Sequence, residues 1–305
     1  MKAEKIAAVV VTFNRIRLLK KCIDALRKQI QKVDVIIIVD NSSSDGTETW
    51  LNTQTDIVVI RQANSGSAGG QSSGIQKALD LGADRIWCMD DDCYATDNAL
   101  SELMGHADKL VVLNSVVLSN RSPNKLSFGL YDFSTGESFN EYSSLNVEVI
   151  ESANFFNGTL FPKGIIETVG LPNKLLFIRG DEFEYYARIR HFGIQIITVV
   201  KSIVYHPEEE VINIGAKHFH YRYVCMSPFK RYYSIRNLLY IYYNYNIISF
   251  RFLIKNIAGD LFFSCFYNKN KLITLYYILK GIVNGILLII NNPAGSSCEK
   301  NTYTQ

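Results

Sequence analysis

The 305-residue sequence has no CxxC pair and no zinc-ligand spacing among its six cysteines, Cys22, Cys88, Cys93, Cys225, Cys265 and Cys298. That excludes a disulfide framework or a metal finger, and predicts reduced, structural thiols in a cytosolic protein. A strong charge of either sign is also missing. The net charge is +3 and no Lys/Arg-rich run interleaved with aromatics occurs in the first two thirds, which argues against a nucleic-acid binder. No internal repeat or low-complexity tract is present. The apolar opening MKAEKIAAVVVTFNR is short for a signal peptide, has no small-residue cleavage site and runs into Thr12, Asn14 and Arg15, so a first strand is expected there. Apolar residues are abundant: 48% of the chain is hydrophobic, enough for the core of one large domain or a domain with an appendage.

The first third alternates strand and helix signals. IAAVVVTF (6–13) is a continuous apolar run suited to a strand buried on both faces, and LLKKCIDALRKQI (18–30) places Leu18, Cys22, Leu26 and Ile30 on one helical face. VDVIIIVDNSSSDGTETW (33–50) and DIVVIRQANSGSAGGQSSGIQKAL (56–79) repeat the design, and RIWCMDDD (85–92) supplies a fourth strand. This alternation predicts an α/β fold with a mostly parallel central sheet flanked by helices, whose ligands gather beyond the carboxyl ends of the strands. Residues 110–165 read as a further strand, VVLNSVVL, and a loop or hairpin region; within LLFIRGDEFEYYARIRHFG, Glu184, Arg188 and the apolar residues between them fit a helix ended by Gly193.

Three polar clusters close the strands. Asp90, Asp91 and Asp92 are three like charges at the mouth of an apolar strand, which repel one another unless something cationic sits among them. A helix cap explains one such residue; for three, the first and third, Asp90 and Asp92, can hold a hard cation, Mn²⁺ or Mg²⁺, that completes its shell with the phosphates of a nucleotide diphosphate. NSGSAGG (64–70) is a Gly-rich turn able to approach phosphate. A dinucleotide-binding dehydrogenase is disfavoured because the first strand–helix turn, TFNR, has no glycine. DNSSSDGT (40–47) is good turn chemistry, and its position makes Asp40 an acceptor for base or ribose.

VVVTFNR, DNSSSDGT, NSGSAGG and CMDDD, in this order and spacing, resemble the family 2 glycosyltransferases of the GT-A fold, in particular their galactofuranosyl and rhamnosyl transferase branch, over about residues 5–240. The resemblance implies donor binding by Thr12, Asn14, Arg15, Asp40, Asn64, Gly69, Gly70 and Asp91. It makes Asp90 and Asp92 metal ligands. RGDEFEYYAR (179–188) is similar to the family's paired-acid motif, with Asp181 orienting acceptor hydroxyls and Glu182, where relatives carry aspartate, as catalytic base. His206 of VYHP corresponds to the metal-binding histidine, with His218 and His220 as rivals. NFFNGTLFP (154–162) resembles the acceptor floor, implying Phe155, Phe156 and Asn157; the two Phe could equally be core. The function implied is a metal-dependent, inverting transfer of galactofuranose from its UDP donor to a lipid-linked bacterial surface glycan (O-antigen, capsule or cell wall). A rhamnosyltransferase using a dTDP donor is the alternative. A nucleotidyltransferase and a non-catalytic nucleotide-sugar-binding protein are the readings from other classes.

After Pro228 the text becomes aromatic, apolar and basic, with nine Lys and Arg against two acids over 226–305. LITLYYILKGIVNGILLII (272–290) approaches spanning length, but Lys280, Asn284 and Asn291 share one side of a helix. This predicts an in-plane amphipathic helix on an anionic membrane surface, placing the protein in the cytoplasm, peripherally on the inner face of the plasma membrane. Packing against the domain or a second subunit, as in a homo-oligomer, is the other reading. The expected domains are 1–228, GT-A, with a nucleotide-sugar half over about 1–110 and an acceptor half over about 111–228, and 229–305, a helical membrane-associating extension.

Overall fold

The computed structural model describes residues 4–108, 110–216, 219–245, 247–268 and 270–292. His218 and Cys298 lie outside them. The described residues group into two compact units, one running to Phe177 and including Arg188–Glu209, the other Ile178–Ala187 with the residues from Glu210 onward. The division therefore falls ahead of the expected boundary at 228, and the residues bearing the paired acids go with the second unit.

In the first unit β1 (Ile6–Thr12) leads through α1 (Ile16–Arg27) to β2 (Val35–Asp40), α2 (Thr47–Leu51), β3 (Ile57–Arg61), α3 (Gly66–Asp80) and β4 (Arg85–Asp90). There follow β5 (Tyr94–Ala95), α4 (Ala99–Gly105), β6 (Val111–Ser119), β7 (Lys125–Tyr131), β8 (Ser138–Glu141), β9 (Val149–Ile150), β10 (Asn157–Pro162), α5 (Lys163–Val169) and β11 (Gln195–His206); α6 (Asp181–His191), between α5 and β11 in the chain, has its residues up to Ala187 in the second unit. The main sheet runs β3-β2-β1-β4-β10-β6-β11-β5. β1, β2, β3 and β4 are parallel, as are β6 and β11; β10 lies antiparallel between β4 and β6.

Both faces of the central strands are covered, which is why β1 is buried at every position and needs no alternation. α1 buries Leu19, Cys22, Ile23 and Leu26. The expected stripe is thus shifted: Leu18 is exposed, and Ile30 lies beyond the end of the helix at Arg27. α3 approaches β1 closely because Gly70 and Gly74 carry no side chain; a Cβ there would meet Val11 Cγ1 at 2.4 Å and Val9 Cγ1 at 2.3 Å. The register sets Thr12 beside Asp40 and Val11 beside Asp90, so the carboxyl ends of β1, β2 and β4 form one edge.

The second unit holds the hairpin of β12 (Val211–Ala216) and β13 (Phe219–Val224), then α7 (Pro228–Tyr245), α8 (Phe250–Tyr267) and α9 (Lys271–Asn291). A buried ion pair, Arg231 Nη1 to Asp260 Oδ1 at 2.7 Å, joins α7 to α8, and Tyr221 of the hairpin donates to the same oxygen at 3.0 Å. Gly281 and Gly285 let α9 lie against α7: a Cβ would stand 2.8 Å from the Tyr232 carbonyl oxygen and 3.1 Å from that of Arg236. Of the expected polar stripe on α9, Asn284 faces α7, its Nδ2 donating to Tyr232 Oη at 2.8 Å, while Lys280 and Asn291 are exposed and Lys280 Nζ lies over the Tyr232 ring. The exposed residues of α9 also include a large apolar set, Leu272, Ile273, Leu279, Val283 and Ile290.

Candidate active site

Two of the three acids are paired by Arg15, a residue expected to bind the donor. Arg15 Nη1 reaches Asp91 Oδ1 at 3.0 Å and Asp92 Oδ2 at 2.6 Å, and Thr12 Oγ1 donates to Asp91 Oδ2 at 2.7 Å. From the end of β11, His206 Nε2 comes within 3.1 Å of Asp92 Oδ1. Burial pushes Asp90 up to about 7, helped by the charges of Asp92 and Asp91. Burial likewise raises Asp91 to about 6, with Arg15 opposing. Burial also works against ionising Asp92, but His206 and Arg15 hold its carboxyl below its ordinary value. Burial works against charge on His206, and Asp92 and Asp90 override it, raising its pKa.

These residues suit a hard divalent cation. Asp92 Oδ1 is a buried oxygen with no aligned hydrogen bond, and it faces the imidazole nitrogen at ion-pair distance. His206 Nδ1 is engaged by the Pro207 carbonyl oxygen at 2.5 Å, a contact that fixes the tautomer with Nε2 available to a metal. The ligand atoms of Asp92, Cys93 and His206 lie within 4.8 Å of one another. The Cys93 thiol is a poor member of that trio, since burial pushes its pKa well up and its Sγ bonds Asn157 Oδ1 at 3.1 Å. Asp90, expected as a ligand, stands outside the trio at the end of β4, though its charge couples to Asp92 and His206. Cys22 and Cys88 are also buried with raised pKa values, as inert structural thiols should be.

Where base contacts were expected, Asn14 adopts a left-handed φ of 56° and accepts from Ser44 N at 2.7 Å, tying the ends of β1 and β2. Asp40 is buried, with one oxygen accepting from Ser43 N at 2.9 Å and the other paired to Arg61 Nη1 at 2.7 Å. Arg61 was invisible in the sequence motif; its signal is its place at the end of β3, in register with Asp40. Asn64 Oδ1 accepts from Gly66 N at 3.0 Å, closing the turn before α3. Gly69 and Gly70 are buried against Ser65 and Val11, so the structure gives them a packing role where phosphate contact was expected.

The expected acceptor floor is core. Phe155 and Phe156 are each 2% exposed and pack with Phe161, so neither offers a free face to a sugar. Asn157 is buried too, its Nδ2 donating to Phe155 O.

Asp181 and Glu182 open α6 in the second unit. Glu182 Oε2 accepts from Gly180 N at 3.1 Å, while Asp181 is buried. The preceding turn has Arg179 and Gly180 at φ 63° and 88°, and Asn237 of α7 holds it by donating to Ile178 O at 3.1 Å and Arg179 O at 2.7 Å. Tyr245 of α7 donates to Glu184 Oε1.

Residues 7–154 match the family model described as glycosyl transferase family 2. A galactofuranosyltransferase GlfT1 from Mycolicibacterium smegmatis is 32% identical over 253 residues, covering 78% of this chain and 83% of the relative. The chain belongs to glycosyl transferase family 2. The fold agrees: GalNAc-T7, solved with UDP, GalNAc and Mn²⁺, superposes with a TM-score of 0.56 at 16% identity over 88% of this chain and 58% of the other. TarS of S. aureus (residues 1–349), in complex with UDP, gives 0.56 at 11% identity, over 92% and 81%. This glycosyltransferase therefore combines a GT-A sheet with a C-terminal helical unit. The family match ends before Asp181, Glu182 and His206, so those residues rest on motif order and on the geometry above.

Proposed function

We propose that this glycosyltransferase moves galactofuranose from UDP-galactofuranose to a lipid-linked bacterial surface glycan, with inversion and with a divalent cation. The observation that carries the reading is the kinship with galactofuranosyltransferases over most of the chain. It is supported at the site by the buried Asp92 oxygen facing His206 Nε2. A rhamnosyl donor has no comparable support.

Asp92 and His206, with Asp90 beside them, would hold Mn²⁺ or Mg²⁺, which when bound supplies positive charge to the donor's diphosphate. Thr12 and Arg15 fix the Asp91 carboxylate for the donor's ribose or sugar, and Asp40 with Arg61 serves the base. Glu182 takes the proton of the acceptor hydroxyl as its oxygen bonds to the anomeric carbon; the bond to the diphosphate breaks, and its electron pair leaves with UDP. Attack opposite the leaving group inverts that carbon.

The apolar faces of α8 and α9 serve membrane docking at the cytoplasmic leaflet. Exposed Phe262, Phe266, Leu272 and Ile290 provide the insertion surface, and exposed Arg251, Lys255 and Lys271 complement anionic headgroups. By length and composition α9 could also cross a membrane. Its seating against α7 through Gly281 and Gly285 favours the docked arrangement.

The test is UDP release from UDP-galactofuranose by the full-length protein, with dTDP-rhamnose as competitor donor, in Mn²⁺, Mg²⁺ and chelator. UDP release only with metal is expected. Preference for dTDP-rhamnose, or full turnover in chelator, would refute the reading.

A further inference from the structure

Three residues of β7 converge on the segment that carries His206, and none of them belongs to the motifs that mark the site. Phe128 stands against the imidazole, with ring centroids 4.9 Å apart and planes inclined at 50°. Ser127 Oγ donates to the His206 carbonyl oxygen at 2.7 Å, and Asn120 N donates to the same oxygen at 3.1 Å. Lys125 pairs with Glu208, just beyond His206, and Ser119 Oγ donates to the other Glu208 oxygen at 2.5 Å. All of these residues belong to the first unit.

Strand alternation groups Leu126, Phe128 and Leu130 on one face of β7. Leu126 and Leu130 pack into an apolar cluster with Val116, Leu118 and Ile150, but Phe128 is not a member of it. The pairing of β7 with β8 is irregular at this point: between Lys125–Glu141 and Leu130–Phe139, β7 advances from 125 to 130 while β8 moves only from 141 to 139. Irregularities of this kind re-aim side chains and are common beside active sites. Here one coincides with a half-buried Phe128 that meets the histidine instead of the core. The histidine needs such a wall. The terminal torsion of an imidazole is soft, and Nδ1 is tied to the carbonyl of the next residue, Pro207. Because Nε2 faces Asp92 Oδ1 at 3.1 Å, a swing of the ring would carry it out of line.

We propose that β7 is the positioning strand of the cation site: Phe128 holds the plane of the His206 ring and Ser127 holds its main chain, so that Nε2 stays directed at Asp92. Both are positioning residues, which act through His206 and supply no ligand themselves. This inference rests on His206 as a ligand of the cation. It adds that the orientation of the ring is set in advance, by partners whose loss commonly lowers metal affinity by about 10–100-fold.

The experiment is calorimetric titration of the full-length protein with Mn²⁺, the parent beside Phe128→Leu, Phe128→Tyr, Ser127→Ala and His206→Ala. Phe128→Leu keeps apolar bulk but loses the flat ring, and should weaken Mn²⁺ binding about tenfold. Phe128→Tyr keeps the ring and should bind within about twofold of the parent. Ser127→Ala removes one hydrogen bond and should weaken binding by about twofold or more. Circular dichroism without metal checks that each variant is folded. Parental affinity in Phe128→Leu, or equal weakening by Leu and Tyr, would overturn the proposal; should Phe128→Leu not fold, parental affinity in Ser127→Ala would do so. The His206→Ala arm separates the two failures. Parental affinity there removes the histidine from cation binding altogether, whereas loss there without loss in Phe128→Leu removes the positioning role alone.

Discussion

The first unit fixes the side chains proposed for donor and cation by strand register; the second fixes the proposed base by hydrogen bonds to a turn. Thr12, Asp40 and Asp90 are placed once β1, β2 and β4 pair, and His206 once β11 pairs with β6. Glu182 depends on Arg179 and Gly180 in left-handed backbone, held by Asn237 from a helix more than fifty residues later. Sheet edges make durable binding surfaces, whereas a turn tied by the amide of another helix is a local device whose loss need not disturb the sheet. The two units should therefore fail differently when mutated.

The largest effect is expected at Glu182. Glu182→Gln keeps shape but removes basicity, and should lower kcat by about 10²–10⁴-fold with UDP affinity unchanged. Comparable loss of UDP binding would break the separation of roles.

Asp92→Asn should follow, with kcat down about 10²–10³-fold, the scale for losing one element of transition-state charge stabilisation, together with loss of the thermal stabilisation that Mn²⁺ gives the parent. His206→Ala should share the second phenotype. Normal Mn²⁺ stabilisation in both variants would remove the cation site from the first unit.

Asn237→Ala sharpens the comparison most. It leaves two carbonyl oxygens of the turn without this donor, at roughly 1–3 kcal/mol, and should lower kcat about tenfold while Mn²⁺ and UDP binding stay intact. Steady-state kinetics beside calorimetry would show it; coupled loss of UDP binding would mean that the turn also serves the donor.

The pH dependence is gentler. Asp90 is raised to about 7, so below that pH a proton competes with the cation. Apparent Mn²⁺ affinity should climb with pH as the protons on Asp90 and on His206, whose pKa is also raised, are displaced, by about tenfold per unit for each. A flat titration from pH 5 to 8 would argue that Asp90 stays out of the cation's shell. The smallest effect is at the membrane: binding to anionic vesicles should weaken with added salt and persist in part through the apolar face.

Legibility in the sequence followed the same division. The βα repeats, the acidic strand end and the helix from Asp181 were readable because periodicity and turn chemistry are local. Partners were not. Nothing local tells that Arg15 turns to Asp91 and Asp92, or that Arg61 pairs with Asp40. Phe155 and Phe156 precede a strand that slips antiparallel between β4 and β6, which buries them. On α9 the helical wheel groups Lys280, Asn284 and Asn291, but only the position of Tyr232 shows that Asn284 is turned inward while the other two stay exposed.

The anomeric configuration of the product is the most direct test. The full-length protein, given UDP-galactofuranose, Mn²⁺ and an accepted octyl glycoside, should yield by NMR a single galactofuranoside with the anomeric centre inverted relative to the donor. A product with retained configuration would contradict Glu182 as base and direct displacement as the reaction.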